Sequence, residues 1–471
     1  MHTIDKIYID GAFVSPHGRD TLALYSPVTN AQTAAVVLGD AQDAHRAVAA
    51  ARRAFQTFSQ TTPAERIALL ERIHAVFSAG LQSLVDVMVE EYGGTAGFCR
   101  MILQAGVDDF QQMAHLLRDF DFAPRAGQST VRLQGVGVVG VIIPWNASNG
   151  FICTKVASAI GAGCTTVIKP SEMSARQTQL VAELFHAAGV PPGVVNFVNG
   201  SGAVVGAELT RHPGVAKISF TGSTTVGKTI ARDAADTMKR VTLELGGKSP
   251  NILLDDVDFA DAVPKAVFAA YLNSGQACAA ATRLLVPADR LAEVNAIVQR
   301  TVAGIKVGLP HEADTAIGPM VSRKQYARVQ EYIRAGIEEG ATLLTGGPGQ
   351  PAGLEAGNFV QATVFTDVRN SMRIAQEEIF GPVLAIIPYR DEADAVAIAN
   401  DTPYGLCAYV SSADRARAVR VAARIDAGRV CINNVLHDPL APFGGFKQSG
   451  IGREYGVFGL QAYLEPKAVI G

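Results

Sequence analysis

The segment AKISFTGSTTVGKTIARDAA, residues 216–235, decides the fold, because it reads as a strand, a glycine turn and a helix in direct succession. On both sides of this segment, further strand-like runs lie at 138–143, 165–168, 194–198 and 251–254. Helical stretches such as 175–188 separate them. A second alternating region spans about 258–435, with strand candidates at 283–286, 383–388, 409–411 and 429–432. Strands and helices that alternate at this pitch predict βαβ units and parallel sheets, hence an α/β fold.

The first 120 residues are predicted to hold a short strand pair followed by helices. Thr62-Pro63-Ala64-Glu65 is a capping-box start with proline at the first helical position. Apolar residues then recur every three or four positions, which predicts one buried helical stripe: Ile67, Leu70, Ile73, Phe77, Leu81, Leu84 and Met88. The stretch GGPGQPAGLEAG, residues 346–357, is predicted to be a surface loop.

Composition narrows the class of protein. A chain of 471 residues predicts two to four domains at roughly 100–200 residues each. Lys and Arg total 41 and Asp and Glu 44, so the net charge of −3 leaves no basic footprint for nucleic acid. No apolar run has the length of a membrane helix, and the start MHTIDKIYIDG has no signal-peptide core. Six scattered cysteines without a CxxC pair predict neither disulfides nor a metal site, which favours a cytoplasmic enzyme.

Two sequence motifs are typical of phosphate-binding loops. Residues 135–140 match G-x-G-x-x-G, but the β-branched run that follows ends at Pro144, so a strand rather than a helix is predicted there. Residues 222–229 match the P-loop pattern G-x-x-x-x-G-K-T, with Lys228 in the phosphate position and Asp255 downstream. The same turn supports another interpretation, in which Gly222 and Ser223 present backbone amides to a dinucleotide pyrophosphate.

Three short segments supply the chemistry of acyl transfer at a cysteine. Cys278 follows a glycine bend among small residues and could be exposed as a nucleophile. Glu244 precedes a glycine pair, where partial desolvation would raise its pKa toward that of a general base. Asn146 follows a strand end and offers a fixed amide donor for an oxyanion. For each residue alone a structural role is common: a buried cysteine, a surface glutamate, a turn asparagine.

The chain resembles the aldehyde dehydrogenase superfamily over nearly its whole length. The segments that carry the resemblance are PWN (144–146), IKPSE (168–172), FTGSTTVG (220–227), LELGGKSP (243–250), GQAC (275–278), QEEIFGPV (376–383), and PFGGFKQSGIGRE (442–454) with GLQAY (459–463). The resemblance implies a thiohemiacetal and then a thioester at Cys278, with Glu244 activating the hydrolytic water and Asn146 holding the oxyanion. It also places Lys155 and Glu454 behind the base.

The resemblance further implies an NAD site. Its expected residues are Ile143, Trp145, Lys169, Ser171, Glu172, Gly222, Ser223, Leu245, Gly246, Glu378 and Phe380. Because the Glu172 carboxylate would bind ribose hydroxyls and repel a 2′-phosphate, NAD is preferred over NADP, although Lys169 offsets part of the repulsion. The expected enzyme is a hydrolytic NAD-dependent aldehyde dehydrogenase that needs no metal.

The family's layout also implies a substrate tunnel, lined by Ala147, Phe151, Thr154, Leu272, Ala277, Ala279, His437 and Phe443. Several of these side chains are small, which favours a bulky aromatic, cyclic or longer-chain aldehyde. None of them is Arg or Lys, which argues against a carboxylated semialdehyde. The alternatives are a semialdehyde or betaine-type aldehyde dehydrogenase and, more remotely, a P-loop NTPase.

Three structural parts follow from the same resemblance. Residues 1–121 and 142–247 are expected to form a Rossmann-type NAD-binding domain, and residues 248–440 a second α/β domain that carries the nucleophile. Residues 122–141 and 441–471 are expected to form a small β oligomerisation element. Because exposed strand edges invite pairing with another subunit, a homodimer or homotetramer is predicted.

Overall fold

A computed structural model describes residues 2–435 and 438–470. Its elements as far as the expected base at position 244 are, in chain order, β1 (His2–Ile4), β2 (Ile7–Ile9), β3 (Ala12–Val14), β4 (Thr21–Tyr25), β5 (Gln32–Val37), α1 (Ala41–Phe58), α2 (Pro63–Tyr92), α3 (Ala96–Asp119), β6 (Arg125–Ala126), β7 (Ser129–Gly135), β8 (Val138–Ile142), α4 (Ser148–Ala162), β9 (Thr165–Lys169), α5 (Ala175–Ala187), β10 (Val195–Phe197), α6 (Ala207–Arg211), β11 (Lys217–Thr221), α7 (Thr224–Ala235) and β12 (Arg240–Glu244).

The remaining elements are β13 (Pro250–Leu253), α8 (Phe259–Ala270), β14 (Arg283–Pro287), α9 (Leu291–Ala303), α10 (Arg323–Glu338), β15 (Thr342–Thr345), β16 (Thr363–Thr366), α11 (Arg373–Gln376), β17 (Val383–Tyr389), α12 (Glu392–Asn400), β18 (Cys407–Ser411), α13 (Arg415–Ala422), β19 (Arg429–Ile432), β20 (Gly450–Ile451), α14 (Gly456–Gln461) and β21 (Leu464–Val469). The α/β class is confirmed. The first 37 residues form five short strands, more than the strand pair expected from the sequence.

An eight-stranded sheet organises the first half of the chain, in the order β20-β12-β11-β8-β9-β10-β2-β3. Its five central strands, β12 to β10, are mutually parallel and almost entirely buried, as expected for a sheet covered by helices on both faces. Four of them end immediately before predicted site residues: β8 before PWN, β9 before PSE, β11 before GS and β12 before LGG. Ligands of open α/β sheets bind at this carboxyl edge.

A seven-stranded sheet organises the second half, in the order β15-β16-β17-β14-β13-β18-β19. All its pairings are parallel except that of β15 with β16. The expected nucleophile, Cys278, lies in the connection between α8 and β14, two elements of this half. The two halves therefore meet where the strand ends of the first sheet face this connection.

Helix α2 shows how local sequence sets an element boundary. The Thr62 hydroxyl accepts the Glu65 N–H, and the Glu65 carboxylate accepts the Thr62 N–H at 2.7 Å, so the predicted capping box is present. Proline occupies the first helical position, as predicted. The apolar stripe is buried at its centre, where Leu70, Ile73 and Phe77 are inaccessible to solvent.

Two small sheets complete the described part of the chain. Strands β6, β7 and β21 form an antiparallel sheet, and β1, β5 and β4 form a mixed sheet in which β1 and β5 are parallel. The G-x-G-x-x-G segment holds the last residue of β7, a bend at 136–137 and the start of β8, so no helix begins there, as predicted. Residues 450–451, placed in the oligomerisation element by the sequence, pair with β12 in the large sheet. The three-part division of the chain stays a prediction. None of the described helices is both long and apolar enough to cross a membrane.

Candidate active site

A cleft of about 340 Å³ lies at the carboxyl edge of the large sheet. We call it the nucleophile cleft, and its lining is Pro144, Trp145, Asn146, Phe151, Thr221, Gly222, Ser223, Thr224, Thr225, Glu244, Leu245, Gly246, Cys278, Gln325, Arg328, Glu378, Phe380 and Tyr404. The cleft brings the expected nucleophile, base and oxyanion donor together, although Cys278 and Asn146 are 132 residues apart in the sequence.

The chain reaches Cys278 through a tight left-handed turn. Asn273, Ser274 and Gly275 have φ values of 55°, 58° and 73° in succession. A side chain at Gly275 would place its Cβ 2.1 Å from the Gly381 carbonyl oxygen, so this position requires glycine. The Gly318 N–H donates to the Ser274 hydroxyl at 2.9 Å and fixes the turn from the other side.

A buried hydrogen-bond network ties this turn to the oxyanion donor. Asn273 Nδ2 donates to the carbonyl oxygens of Asn146 and Gln276, both at 3.1 Å. The Asn146 side chain donates to the same Gln276 carbonyl at 3.0 Å, which leaves its second N–H hydrogen available. Tyr92 donates to Asn273 Oδ1 at 2.9 Å from helix α2. The network fixes the position of the Asn146 amide relative to the segment that carries Cys278.

The Cys278 thiol lies in an apolar setting. Burial raises its pKa, and the neighbouring Cys407, Glu378 and Glu244 raise it further, while Arg429 lowers it. The Cys278 N–H has no acceptor within the described ranges, so it can serve as a second donor to an oxyanion. The flanking Ala277 and Ala279 are half-buried.

Glu244 ends strand β12 with its carboxylate in the cleft. Both carboxylate oxygens are buried and lack a partner among the described residues. Gly444 lies directly beside the carboxylate, since a Cβ there would be 2.8 Å from Glu244 Oε1. Burial raises the pKa of Glu244, and the nearby Glu454 raises it further. Glu454 forms a buried ion pair with Lys155. The predicted pair thus lies near the base, outside the lining of the cleft.

Glu378 closes the opposite wall of the cleft. The Gly247 N–H donates to Glu378 Oε1 at 3.0 Å, and a Cβ at Gly246 would be 2.5 Å from Glu378 Oε2. Phe380 contacts Trp145 edge-on, with 5.5 Å between ring centroids. The wall therefore combines a carboxylate with two aromatic rings around a glycine pair, a cradle that any side chain at position 246 would fill.

The lysine of the P-loop match does not face the nucleophile cleft. The Gly222 N–H donates to the Glu244 carbonyl at 3.0 Å, and the Ser223 hydroxyl caps helix α7. Lys228 points to Gln448 Oε1 at 2.8 Å on the exposed face of that helix. Gly222 and Ser223 both line the nucleophile cleft, as the dinucleotide interpretation requires, but the Gly222 amide is already bonded to the Glu244 carbonyl.

The predicted residues of the IKPSE segment lie at the next strand end, outside the lining of the nucleophile cleft. The Ile143 N–H donates to the Lys169 carbonyl at 3.2 Å. Lys169 Nζ donates to Glu172 Oε2 at 2.8 Å, and a third of the Glu172 side chain is exposed. The Ser171 hydroxyl accepts the Met173 N–H. The structure thus pairs Lys169 with Glu172, the residue expected to bind ribose hydroxyls.

The predicted substrate residues do not share one cavity. Phe151 lines the nucleophile cleft, whereas Leu272 lines a second, mainly apolar cavity of about 610 Å³. We call this second cavity the apolar cleft, and its lining is Thr95, Gly97, Phe98, Met101, Lys265, Phe268, Ala269, Tyr271, Leu272, Asn273, Ile305, Ala316, Asn433 and Asn434. The two clefts share no residue, and the Asn273–Asn146 hydrogen bond joins their walls.

Four other predicted substrate positions differ in setting. Ala147 is buried at the start of α4. Thr154 donates to the Asp109 carboxylate and faces a small separate cavity, not either cleft. Phe443 packs on the cluster that holds Cys278. His437 lies outside the described residues.

Sequence reasoning missed several residues of the site. Arg328 Nη2 donates to the Glu378 carbonyl at 2.6 Å, and Gln325 Nε2 donates to the Phe380 carbonyl at 2.8 Å. Tyr404 lines the same cleft. The first two lie on α10 in an ordinary polar helix sequence, which gives no sequence signal of a site.

Comparison with known proteins identifies this combination of fold and cleft. The model of the aldehyde dehydrogenase family matches residues 13–469. The chain therefore belongs to the aldehyde dehydrogenase family, a class of enzymes. This confirms the resemblance and the enzyme class predicted from the motifs, and it removes the P-loop NTPase alternative.

Individual relatives are similar over their full length. The chain is 46% identical to the 3-succinoylsemialdehyde-pyridine dehydrogenase of a Pseudomonas species, with 100% of this chain and 99% of that protein covered. Its fold is similar to a mutant of aldehyde dehydrogenase C from Pseudomonas syringae in complex with NAD+ and octanal (TM-score 0.98, 47% identity, 99% and 96% covered). It is also similar to a Mycobacterium tuberculosis aldehyde dehydrogenase in complex with NAD+ (TM-score 0.97, 40% identity, 100% and 98% covered).

Proposed function

We propose that the protein oxidises an uncharged aromatic or medium- to long-chain aldehyde to the carboxylic acid, with NAD as cofactor. The observation that carries the proposal is the nucleophile cleft, which gathers Cys278, Glu244 and Asn146 around one space. A nucleophile, a base and a preorganised amide donor are the three groups that oxidation through a thioester requires.

The first half of the reaction uses the cysteine loop. The Cys278 thiolate attacks the aldehyde carbon and forms a thiohemiacetal, whose oxyanion accepts the free N–H of Asn146 and the N–H of Cys278. Each such donor contributes on the order of 3 kcal/mol to the transition state. NAD, when bound, accepts the hydride that the carbon loses. Cys278 then carries the acyl group as a thioester.

The second half uses Glu244. Its unpartnered carboxylate takes a proton from water, and the resulting hydroxide attacks the thioester carbon. The C–S bond then breaks and Glu244 returns its proton to the Cys278 sulfur, so that the acid and the thiol are released. Because the pKa of Glu244 is raised by burial, its carboxylate is a stronger base than an exposed one. Lys155 and Glu454 supply a buried ion pair that influences this titration.

The residues of the nucleophile cleft fit NAD. The glycine pair leaves a cradle against Glu378, whose second oxygen is available to a ribose hydroxyl. Gly222 and Ser223 lie at the start of α7, where backbone amides favour a pyrophosphate. Glu172 would accept ribose hydroxyls at the neighbouring strand end, and its negative charge disfavours the 2′-phosphate of NADP.

The apolar cleft supports the choice of substrate. Phe98, Met101, Phe268 and Leu272 line a volume within the usual range for ligand sites, about 300–1,000 Å³. The solved structure at 47% identity is a complex with octanal. The relative at 46% identity is named for a semialdehyde that carries a pyridine ring. Both names fit an apolar chain or ring held in this cleft.

A carboxylated semialdehyde or a betaine-type aldehyde is the second candidate. The name of the Pseudomonas relative contains a semialdehyde, but one whose succinoyl group is attached to a pyridine ring and leaves no free carboxylate. The lining of the apolar cleft includes one cation, Lys265, which already pairs with Asp261 at 2.6 Å. We therefore expect a lower kcat/KM for these substrates than for uncharged aldehydes.

Formation of NADH, followed at 340 nm, tests the proposal. Octanal and benzaldehyde are compared with succinic semialdehyde and betaine aldehyde, each with NAD and NADP, and Cys278→Ala is the blank. We expect the highest kcat/KM for octanal or benzaldehyde with NAD, and no turnover in the blank. Leu272→Trp narrows the apolar cleft and should lower kcat/KM for octanal at least tenfold more than for acetaldehyde. Equal losses for both would refute the role of this cleft.

The oligomeric state and the cellular location of the protein are part of the same proposal. We expect self-association as a homodimer or homotetramer through the sheet of β6, β7 and β21, in which β21 is largely exposed. We expect a cytoplasmic enzyme whose partner is its small-molecule substrate.

A further inference from the structure

The nucleophile lies at the centre of a tight turn. The Ala280 N–H donates to the Ala277 carbonyl at 3.1 Å, which closes a four-residue turn with Cys278 and Ala279 at its two central positions. The Cys278 N–H, the second donor to the oxyanion in the proposed reaction, is therefore a backbone group of this turn. Its direction depends on how the turn is held, because any rotation of the turn moves the N–H and the thiol together.

A tyrosine of the seven-stranded sheet holds the turn by the carbonyl that follows the nucleophile. The Tyr409 hydroxyl donates to the Ala279 carbonyl at 2.9 Å. Tyr409 is 2% exposed and lies in the middle of β18, where it is opposite Asn251 of β13 on one side and Cys431 of β19 on the other. Because the backbone of Tyr409 is paired on both sides, its hydroxyl is a fixed donor.

The rest of the turn is held by close contact. The Cys278 carbonyl lies against Gly247, where a Cβ would be 2.6 Å from this oxygen. Cys278 and Ala279 both pack on the apolar cluster that contains Tyr409. No backbone N–H of the described residues donates to the Ala279 carbonyl, so the tyrosine supplies its partner.

The chain on the other side of the nucleophile has its own attachment. Asn273 and the Asn146 side chain both donate to the Gln276 carbonyl, two residues before the nucleophile. Asn146 follows a strand of the eight-stranded sheet, whereas Tyr409 belongs to the seven-stranded sheet. The segment that carries the nucleophile is therefore tied by hydrogen bonds to both halves of the molecule, before the cysteine to one and after it to the other.

We propose that Tyr409 is a positioning residue that orients the Cys278 turn toward the oxyanion of the thiohemiacetal. It does not touch the reacting atoms, and it acts by holding the Ala279 carbonyl and, through the turn, the direction of the Cys278 N–H. An oxyanion donor lowers the barrier only when it points to the place where the charge develops. This role rests on the proposed function for the identity of the nucleophile and of the oxyanion donors. None of the sequence motifs contains Tyr409.

Single-turnover formation of NADH, with enzyme in excess over the best aldehyde of the panel, tests this inference in Tyr409→Phe. The variant lacks one oxygen atom. Tyr389→Phe is the matched control, because the Tyr389 hydroxyl donates to the Leu253 carbonyl at 2.8 Å within the same sheet and Tyr389 is 4% exposed. Both variants lose one buried bond from a tyrosine to a carbonyl, but only Tyr409 reaches the nucleophile turn. Urea unfolding confirms that each variant is folded.

We expect Tyr409→Phe to lower the saturated single-turnover rate constant about tenfold, because a misplacement of about 1 Å costs roughly 100-fold and one lost hydrogen bond allows a smaller movement. The concentrations of NAD and enzyme that give half of this rate should stay within about twofold, since the lost interaction acts in the transition state. Tyr389→Phe should match the wild type. Alkylation of Cys278 by iodoacetamide forms no oxyanion, so its rate should be the same in all three proteins.

Three outcomes overturn the inference. One is a rate constant of Tyr409→Phe equal to that of the wild type, and another is an equal fall in Tyr389→Phe, which would assign the effect to the sheet as a whole. The third is a parallel fall in the rate of alkylation, which would place the effect at the thiol and not at the oxyanion donor. Failure of the proposed function is distinguishable, because the wild type would then form no NADH that depends on Cys278.

Discussion

Replacing Asn273 by alanine removes the centre of the network that holds the nucleophile turn. The wild-type side chain accepts from Tyr92 at 2.9 Å and donates to the carbonyls of Asn146 and Gln276 at 3.1 Å. All four residues are buried, so these groups find no water in exchange. At about 1 kcal/mol for each hydrogen bond, the loss is about 3 kcal/mol. Alanine at φ 55° adds about 1 kcal/mol of backbone strain.

The assay is isothermal urea unfolding, followed by far-UV circular dichroism and by the fluorescence of Trp145, the single tryptophan. We expect Asn273→Ala to lose about 4 kcal/mol of unfolding free energy and Asn273→Gly about 3 kcal/mol, because glycine tolerates the left-handed conformation. Both variants should lower kcat, since the Asn146 carbonyl loses its donor. A loss below 1 kcal/mol in Asn273→Ala, or a glycine variant less stable than the alanine variant, would refute the reasoning.

Three further predictions concern buried or paired charges. Burial raises the pKa of Glu91 to about 7, so its contribution to the free energy of unfolding is present below pH 4.5 and is lost as pH rises through 7. In urea unfolding between these pH values, the wild type should lose roughly 3 kcal/mol of unfolding free energy that Glu91→Gln does not lose. Burial lowers the pKa of Lys217 to about 8, so the free energy of unfolding of the wild type should rise from pH 8 to 10.5. In urea unfolding, Lys217→Met should be at least as stable as the wild type at pH 7, and the difference should shrink by pH 10. Glu172→Gln frees Lys169 from its 2.8 Å ion pair and should raise kcat/KM for NADP relative to NAD at least tenfold in initial-rate assays.

The sequence predicted those helices and strands whose boundaries are determined by residues close together in the chain. The capping box of Thr62 and Glu65 lies within four residues, and the helix begins where that pattern places it. The strand-like run at 138–143 is a strand at Val138–Ile142, since β-branched residues in a fully buried sheet need no distant information. The sequence predicted one strand pair where the first 37 residues form five strands of three to six residues, because strands this short are stabilised by pairing and not by propensity.

The motif residues assembled as expected where each motif follows a strand end. Asn146, Gly222 and Leu245 come from three strands of one parallel sheet, so the shared edge brings them together. Lys169 and Glu172 follow the next strand of that sheet but lie outside the nucleophile cleft.

The substrate residues were harder to predict, because their positions depend on contacts between distant segments. Thr154 was expected in the tunnel, but it lies on a buried helix whose neighbour α3 supplies Asp109, and the hydroxyl turns to that carboxylate. Phe98, Met101 and Phe268 line the apolar cleft from α3 and α8, although the sequence shows them only as ordinary apolar positions in helices.

Arg429 shows the limit of arguments from sequence most clearly. The sequence argument about Arg and Lys considered only the eight expected tunnel residues, and Arg429, 151 positions after Cys278, was not among them. Its place is fixed by the parallel register of β18 and β19, in which Cys407 faces Arg429 and Tyr409 faces Cys431. A shift of one residue in that register would turn the arginine to the other face of the sheet. The position of Arg429 opposite Cys407 and against the Phe443 ring is thus a consequence of strand pairing, a property that no single stretch of this sequence contains.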